Sequence, residues 1–196
     1  MKTLLLLFIS LLSITHSYAT PAQVIIIRHG EKNAEGLLSQ KGLERAEALV
    51  PFLTQTDYLL KAGQLFAIFA AKPVDTPPAT TIRCIETMIP TSNALKIPLQ
   101  SPFGQGQEKQ MANLILNNEE YDGKNIVICW NHFTISRLIK YFGYPKIGTF
   151  KDCCYDYVFL LTFPVSGKVQ ITHQNLLFGD PDGTCRRGGC PIPLNK

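Results

Sequence analysis

The sequence predicts an α/β fold: a three-layer sandwich with a mostly parallel central sheet, helices on both faces and an edge hairpin near the C-terminus. Three observations carry that expectation. Short, mainly apolar runs recur along the chain, as in Gln23 to Ile27, Leu65 to Ala70 and Asn125 to Cys129. They do not alternate with polar residues, as in strands covered on both faces. Between them lie stretches whose apolar residues fall at helical spacing, and strands that alternate with helices build parallel sheets.

Taken in order, the first strand is the run ending at Ile27. After a polar loop, Ser39 can cap a helix running to about Thr54, with Leu43, Ala46, Leu49, Val50 and Leu53 along one face. Leu65 to Ala70 is the second strand, closed by the Lys72 to Pro78 loop. Thr80 or Thr81 starts the next helix, which is expected to end before Pro90, since the residue preceding a proline disfavours helical backbone. Ile97 to Leu99 is a short third strand, followed by the Ser101 to Gly106 loop and a helix from about Gln107 to Asn117. Asn125 to Cys129 is the next buried strand and Thr134 to Phe142 the next helix. Tyr157 to Phe163 and Lys168 to His173 flank Pro164 to Gly167, which reads as a hairpin. The tail from about Gly179 is rich in glycine, proline and cysteine and reads as irregular.

The first nineteen residues read as a signal peptide rather than as fold. Lys2 supplies the positive start, Leu4 to Leu12 the apolar centre, and Ser17-Tyr18-Ala19 a small-x-small cleavage site. The apolar run is too short to span a bilayer, so the expectation is an exported protein, periplasmic or extracellular, without stable membrane insertion. Residues 20–196 then form one domain, a size suited to a single core.

Composition excludes some functions. The chain has 19 Lys and Arg against 15 Asp and Glu, and its basic residues are scattered, so a nucleic-acid partner is not expected. Six cysteines in an exported chain suggest disulfides, and Cys185 with Cys190, bracketing a glycine-rich loop, is the expected pair. No C-x-x-C occurs and the histidines lack finger-like spacing, so neither a zinc site nor any other metal or cofactor is expected.

The chemistry gathers where the strands end. The segment VIIIRHGEKN places Arg28 and His29 at the mouth of the first strand, and His132 follows the strand NIVIC two residues beyond Trp130. Open α/β sheets bind ligands at the carboxyl ends of their strands, so two imidazoles at two such ends can converge. Arg83 lies at the amino end of a helix that follows a strand, where a guanidinium adds bidentate donors to the helix's own pull on anions. By position alone it reads rather as an ordinary surface arginine paired with Glu86.

Arg28-His29-Gly30 resembles the R-H-G motif of the histidine phosphatase superfamily, in its phosphoglycerate mutase-like branch. Leu38-Ser39 with Gly42 and Ala46 is similar to the helix start that follows that motif, Thr81-x-Arg83-x-x-x-Thr87 resembles the family's R-x-x-x-T element, and His132 stands in the place of its second histidine. The ordered similarity runs from Val24 to about Phe142. The resemblance implies a metal-independent phosphomonoester hydrolase in which His29 attacks phosphorus and forms a phosphohistidine, while Arg28, Arg83 and His132 hold the phosphoryl oxygens. Asn33 is a further candidate phosphate ligand, nearer to the histidine than the corresponding asparagine of typical members.

A leaving alkoxide needs a proton. Phe133 stands where the other large branch of the family has an aspartate, so the acid is expected from the loop after the third strand. Glu108 is the candidate there and Glu31 the reserve; Glu108 reads equally as a first-turn glutamate favoured by its helix. Trp130-Asn131 precede His132 where the family usually has glycine or serine, and no long insertion encloses a sugar phosphate, which favours hydrolysis over mutase chemistry. The expected substrate is a phosphorylated small molecule or a phosphoprotein. No cysteine has an arginine at the C-x(5)-R offset, and no P-loop is present. The competing function, from another class, is a catalytically inactive exported protein that keeps the pocket as a phosphate or anion receptor.

Overall fold

The computed structural model describes residues 20–73, 82–148, 151–165 and 167–180. The predicted signal peptide and the Cys185–Cys190 pair lie outside the described residues. The fold is α/β, with six strands in one sheet among the described residues: β1 (Gln23–Arg28), β2 (Leu65–Ala70), β3 (Leu99–Gln100), β4 (Asn125–Trp130), β5 (Tyr157–Thr162) and β6 (Gln170–His173). Among the same residues four α-helices accompany them: α1 (Gln40–Gln55), α2 (Ile82–Leu95), α3 (Glu108–Leu116) and α4 (Ile135–Tyr141). The strand order is β3-β2-β4-β1-β5-β6. The first four strands run parallel, and β5 and β6 are antiparallel additions on the far side of β1.

That order sorts the helices. The crossovers through α1 and α2 step towards β3, and the crossover through α3 returns to β4. Right-handed crossovers running in opposite directions put their helices on opposite faces. Accordingly α1 packs on α2, and α3 on α4. The central strands are therefore covered twice: every residue of β1 and β4 is buried. Ile25, Ile26, Ile27, Phe69, Ile126, Ile128 and Leu49 lie in one core. Full burial of such a side chain is worth about 1.5–3 kcal/mol.

Register places the site. β1 pairs with β4 from Gln23↔Asn125 through Arg28↔Trp130, so these two strands end level. His29 and the Asn131-His132 turn thus leave the sheet side by side. Gly30 and Gly42 fix the other wall. A Cβ at Gly30 would press on the Gly42 carbonyl, and one at Gly42 would collide with the Glu31 backbone, so the loop after β1 lies directly against the first turn of α1. Ser39 caps that helix by accepting from the Gly42 amide.

Some boundaries differ from expectation. α2 continues through Pro90 to Leu95, although a stop was expected before the proline. Met88 is fully buried and Thr91 is buried on the same helix, so packing on both sides of Pro90 offsets the missing amide donor. Leu43, expected on the buried face of α1, is exposed, and Arg45 takes a core-facing position instead. β3 is shifted to Leu99–Gln100. β5 and β6 pair antiparallel as the expected hairpin, with β6 at the edge of the sheet.

Candidate active site

His29 sits one residue beyond β1 and is 1% exposed. Its Nδ1 donates to the Gly30 carbonyl at 2.7 Å, so the lone pair is left on Nε2. Nε2 is buried and has no hydrogen-bond partner. Burial, then the charge of Arg28 and more weakly those of Arg83 and His132, lower the pKa of His29 to about 3. At neutral pH the ring is an uncharged base with a free nitrogen, the form a nucleophile needs.

Arg28 is fully buried at the end of β1. Its Nη1 donates to the carbonyls of Asp152 (2.5 Å) and Cys154 (2.9 Å), and Nη2 donates to Asp152 Oδ1 at 2.7 Å. Its carbon Cζ lies 3.9 Å from the centre of the Tyr155 ring, a cation–π contact. Burial pushes its pKa below the usual arginine value, with the Tyr155 and Asp152 side chains opposing that shift. Nε has no partner.

Arg83 enters from the first turn of α2. It is buried rather than at the surface, and it donates to the Gly36 carbonyl instead of pairing with Glu86. Glu86 instead accepts from the Leu38 amide at 3.3 Å. The Nε of Arg83 is likewise buried and unpartnered. One turn on, Thr87 Oγ1 accepts from the Gly30 amide at 2.9 Å and donates to the Arg83 carbonyl at 2.7 Å. This single hydroxyl joins the loop carrying the histidine to the helix carrying the second arginine.

His132 completes the cluster. Its ring centre is 6.4 Å from that of His29, nearly edge-on. Its Nε2 lies 3.1 Å from Asp152 Oδ1. Burial and then the Arg28 charge lower its pKa to about 4, the Asp152 carboxylate opposing them. Phe133, 72% exposed, stacks on it with ring centres 3.8 Å apart and forms an apolar lip.

Two further residues here carried no sequence signal. Asp152 and Tyr155 come from the segment before β5, which holds no motif and lies far along the chain from the arginine it touches. Only the neighbouring charges and cysteines, KDCC, mark it at all. Asp152 also accepts from Lys32 Nζ at 3.1 Å.

The proposed proton donors are placed differently. Glu108 is buried at the start of α3, accepting from the Gly106 amide at 2.9 Å and lying 3.5 Å from Arg137. It adjoins the site through the Gly104–Gln107 loop, where Gln105 accepts from Asn131 at 3.3 Å. Glu31 is engaged elsewhere: both oxygens accept from Arg45, at 2.7 and 2.9 Å. The Asn33 amide oxygen accepts from the Leu37 amide at 2.9 Å, which shapes the turn after His29.

Among the described residues no group of three or more His, Cys, Asp or Glu is arranged to hold a metal ion. Cys84 and Cys129 are free but buried, and burial raises the Cys129 thiol well above its ordinary value, which makes it a poor nucleophile. A separate cavity of about 290 Å³, lined by Gln23, Tyr58, Lys61, Leu160, Thr162 and Gln170, opens at the opposite end of β1 and lacks a paired nucleophile and base.

No protein-family model matches the chain, and no curated protein matches it. Among solved structures, it is similar to the crystal structure of "the putative phosphohistidine phosphatase SixA" from Agrobacterium tumefaciens, at 12% identity. That alignment covers 78% of this chain and 97% of the other, with a TM-score of 0.47.

Proposed function

We propose that this protein is an exported phosphomonoester hydrolase that works through a covalent phosphohistidine on His29. One observation carries the reading. A neutral imidazole, tautomerically fixed by Gly30, keeps an unpartnered buried Nε2 amid Arg28, Arg83 and His132. A merely structural buried histidine would have both ring nitrogens paired.

In the proposed reaction, Nε2 attacks phosphorus and the P–O bond to the leaving group breaks. Arg28, Arg83 and His132 Nε2–H hold the three non-bridging oxygens and stabilise their charge. The leaving oxygen takes a proton, for which Glu108 is the candidate source. Water then attacks the phosphohistidine and returns a proton to the carboxylate that gave one up, the P–N bond breaks, and inorganic phosphate leaves with His29 neutral again. Asn33 retains an amide N–H₂ for a phosphate oxygen, since only its carbonyl oxygen is committed. The exported chain would carry its tail cysteines oxidised.

Purified protein lacking residues 1–19 should hydrolyse an aryl phosphate with no added metal and persist in chelator. A broad phosphomonoester panel, with His29→Ala alongside, tests this. Phosphate binding without turnover of any ester would instead establish the anion-receptor function. That second reading is motivated by the anion already seated on Arg28 and His132, the Asp152 carboxylate.

A further inference from the structure

Asp152 reaches the site from the segment before β5 and contributes an anion where the proposed reaction needs one from outside. Its Oδ1 receives Arg28 Nη2 at 2.7 Å and lies 3.1 Å from His132 Nε2, while Oδ2 receives Lys32 Nζ at 3.1 Å. Two groups from the end of β1 and its loop and one from the turn after β4 thus converge on one carboxylate. Two of them, Arg28 and His132, are the groups assigned above to phosphoryl oxygens.

The contact is built so that the carboxylate can leave without dismantling the site. Arg28 is independently held by the backbone carbonyls of Asp152 and Cys154 and by the face of Tyr155. The Asp152 side chain is 55% exposed, whereas that of Arg28 is fully buried. One partner is therefore fixed and desolvated, and the other stands at the water boundary. A half-exposed ion pair is weak compared with a buried one, so displacement is inexpensive for a ligand that replaces its hydrogen bonds. Although burial alone would raise it, hydrogen bonds from Lys32 and Arg28 hold the Asp152 carboxyl at about 2, so it is an anion throughout the physiological range.

We propose that Asp152 is a gatekeeping residue: its carboxylate is a tethered occupant of the phosphoryl seat that weakens every anion by the same factor, so that only the tighter-binding doubly charged phosphomonoesters fill the seat at working concentrations. The inference rests on the hydrolase reading above and deepens it by naming the charge class of the substrate. A tethered carboxylate competes at an effective concentration far above that of free carboxylates. A phosphomonoester dianion brings a third oxygen and a second charge to Arg28, His132 and Lys32, and so outcompetes it. A phosphodiester or a sulfate monoester brings one charge and gains little over the carboxylate it must evict.

The test compares wild type, Asp152→Asn and Asp152→Ser. It measures the Kd of inorganic phosphate by calorimetry and the inhibition of 4-nitrophenyl phosphate hydrolysis by bis(4-nitrophenyl) phosphate and 4-nitrophenyl sulfate. Phosphate binding should tighten by about tenfold in both variants, as when a competent state held to a tenth of the population is released. The two monoanions should gain by the same factor, and a gain confined to phosphate would overturn the proposal. Unchanged or weaker phosphate binding in the variants overturns the proposal. A wild-type crystal grown with phosphate needs no variant: phosphate on Arg28 and His132, with Asp152 Oδ1 out of reach of both, supports it. Asp152 still seated on Arg28, with phosphate bound elsewhere, overturns it. If no protein turns over any ester, the hydrolase reading fails, and phosphate affinity alone then decides the role of Asp152.

Discussion

Arg28 and Arg45 are both fully buried, and the segments that carry them touch at Gly30 and Gly42, yet their surroundings are opposite. Arg45 uses every donor it has. Nε and Nη2 clasp Glu31, Nη1 and Nη2 clasp Asp180, and Nη1 also reaches Gln174, all at 2.7–2.9 Å. Burial works against its charge, but the hydrogen bonds from Glu31 and Asp180 hold its pKa above the ordinary arginine value. Arg28 keeps Nε unpartnered, and the carboxylate that balances it stands half in water. The saturated arginine ties the loop after β1 to the segment after β6. The unsaturated one, with the unpartnered nitrogens of His29 and Arg83 beside it, retains capacity for a ligand. Buried charge alone does not mark a site; unspent hydrogen-bonding capacity beside it does.

This contrast can be broken experimentally. The largest effect should come from His29→Ala, expected to lower turnover by at least about 10⁴-fold with little change in the unfolding midpoint. Steady-state kinetics and chemical denaturation on the same sample would check both halves. Arg45→Met should do the reverse, costing about 3–5 kcal/mol of stability because Glu31 and Asp180 are left without their cation. Denaturant unfolding reads that loss, and a stability change below 1 kcal/mol, on the order of an exposed pair, would contradict the role assigned to Arg45. Arg83→Ala should lower kcat/KM by about 10²–10³-fold, as for loss of one transition-state donor.

Smaller effects sharpen the same division. His29 and His132 have folded-state pKa values of about 3 and 4, below the unfolded value of about 6.5. The unfolded chain therefore binds more protons between those limits, so stability rises with pH there and is lost as pH falls from about 6.5 towards 3. Replacing His29 with glutamine should flatten that acid limb in thermal melts taken across the window. Glu108→Gln should slow alkyl phosphates more than aryl phosphates with good leaving groups. Equal slowing of both would remove Glu108 as proton donor.

Much of this was legible because it is local. The end of β1 is visible in VIII followed by Arg28-His29, and the end of β4 in NIVIC followed by His132; parallel pairing makes the two ends level. Arg83 was ambiguous by position, since nothing in the sequence near it reveals that the Gly36 carbonyl will accept its hydrogen bond and close it in. Asp152 and Tyr155 were not legible at all. They depend on β5 returning antiparallel beside β1, a pairing set by the whole sheet rather than by any motif. Pro90 misled for the complementary reason: its local preference is real, but the burial of Met88 and Thr91 on either side of it outweighs that preference. Glu31 shows a similar limit. Its place next to the R-H-G triplet suggests chemistry, while its partner Arg45 is fourteen residues further on.

The hydroxyl of Thr87 narrows which sequences can carry this arrangement. One oxygen receives the Gly30 amide and passes its own proton to the Arg83 carbonyl, so position 87 needs a side chain that donates and accepts through the same atom. Valine has the shape and neither capacity, and would strand a buried amide directly beside His29. Asparagine has both capacities, but on different atoms and a longer stem. Serine and threonine are the substitutions that conserve it, which makes this inconspicuous helix position as restricted in its alphabet as the histidine it supports.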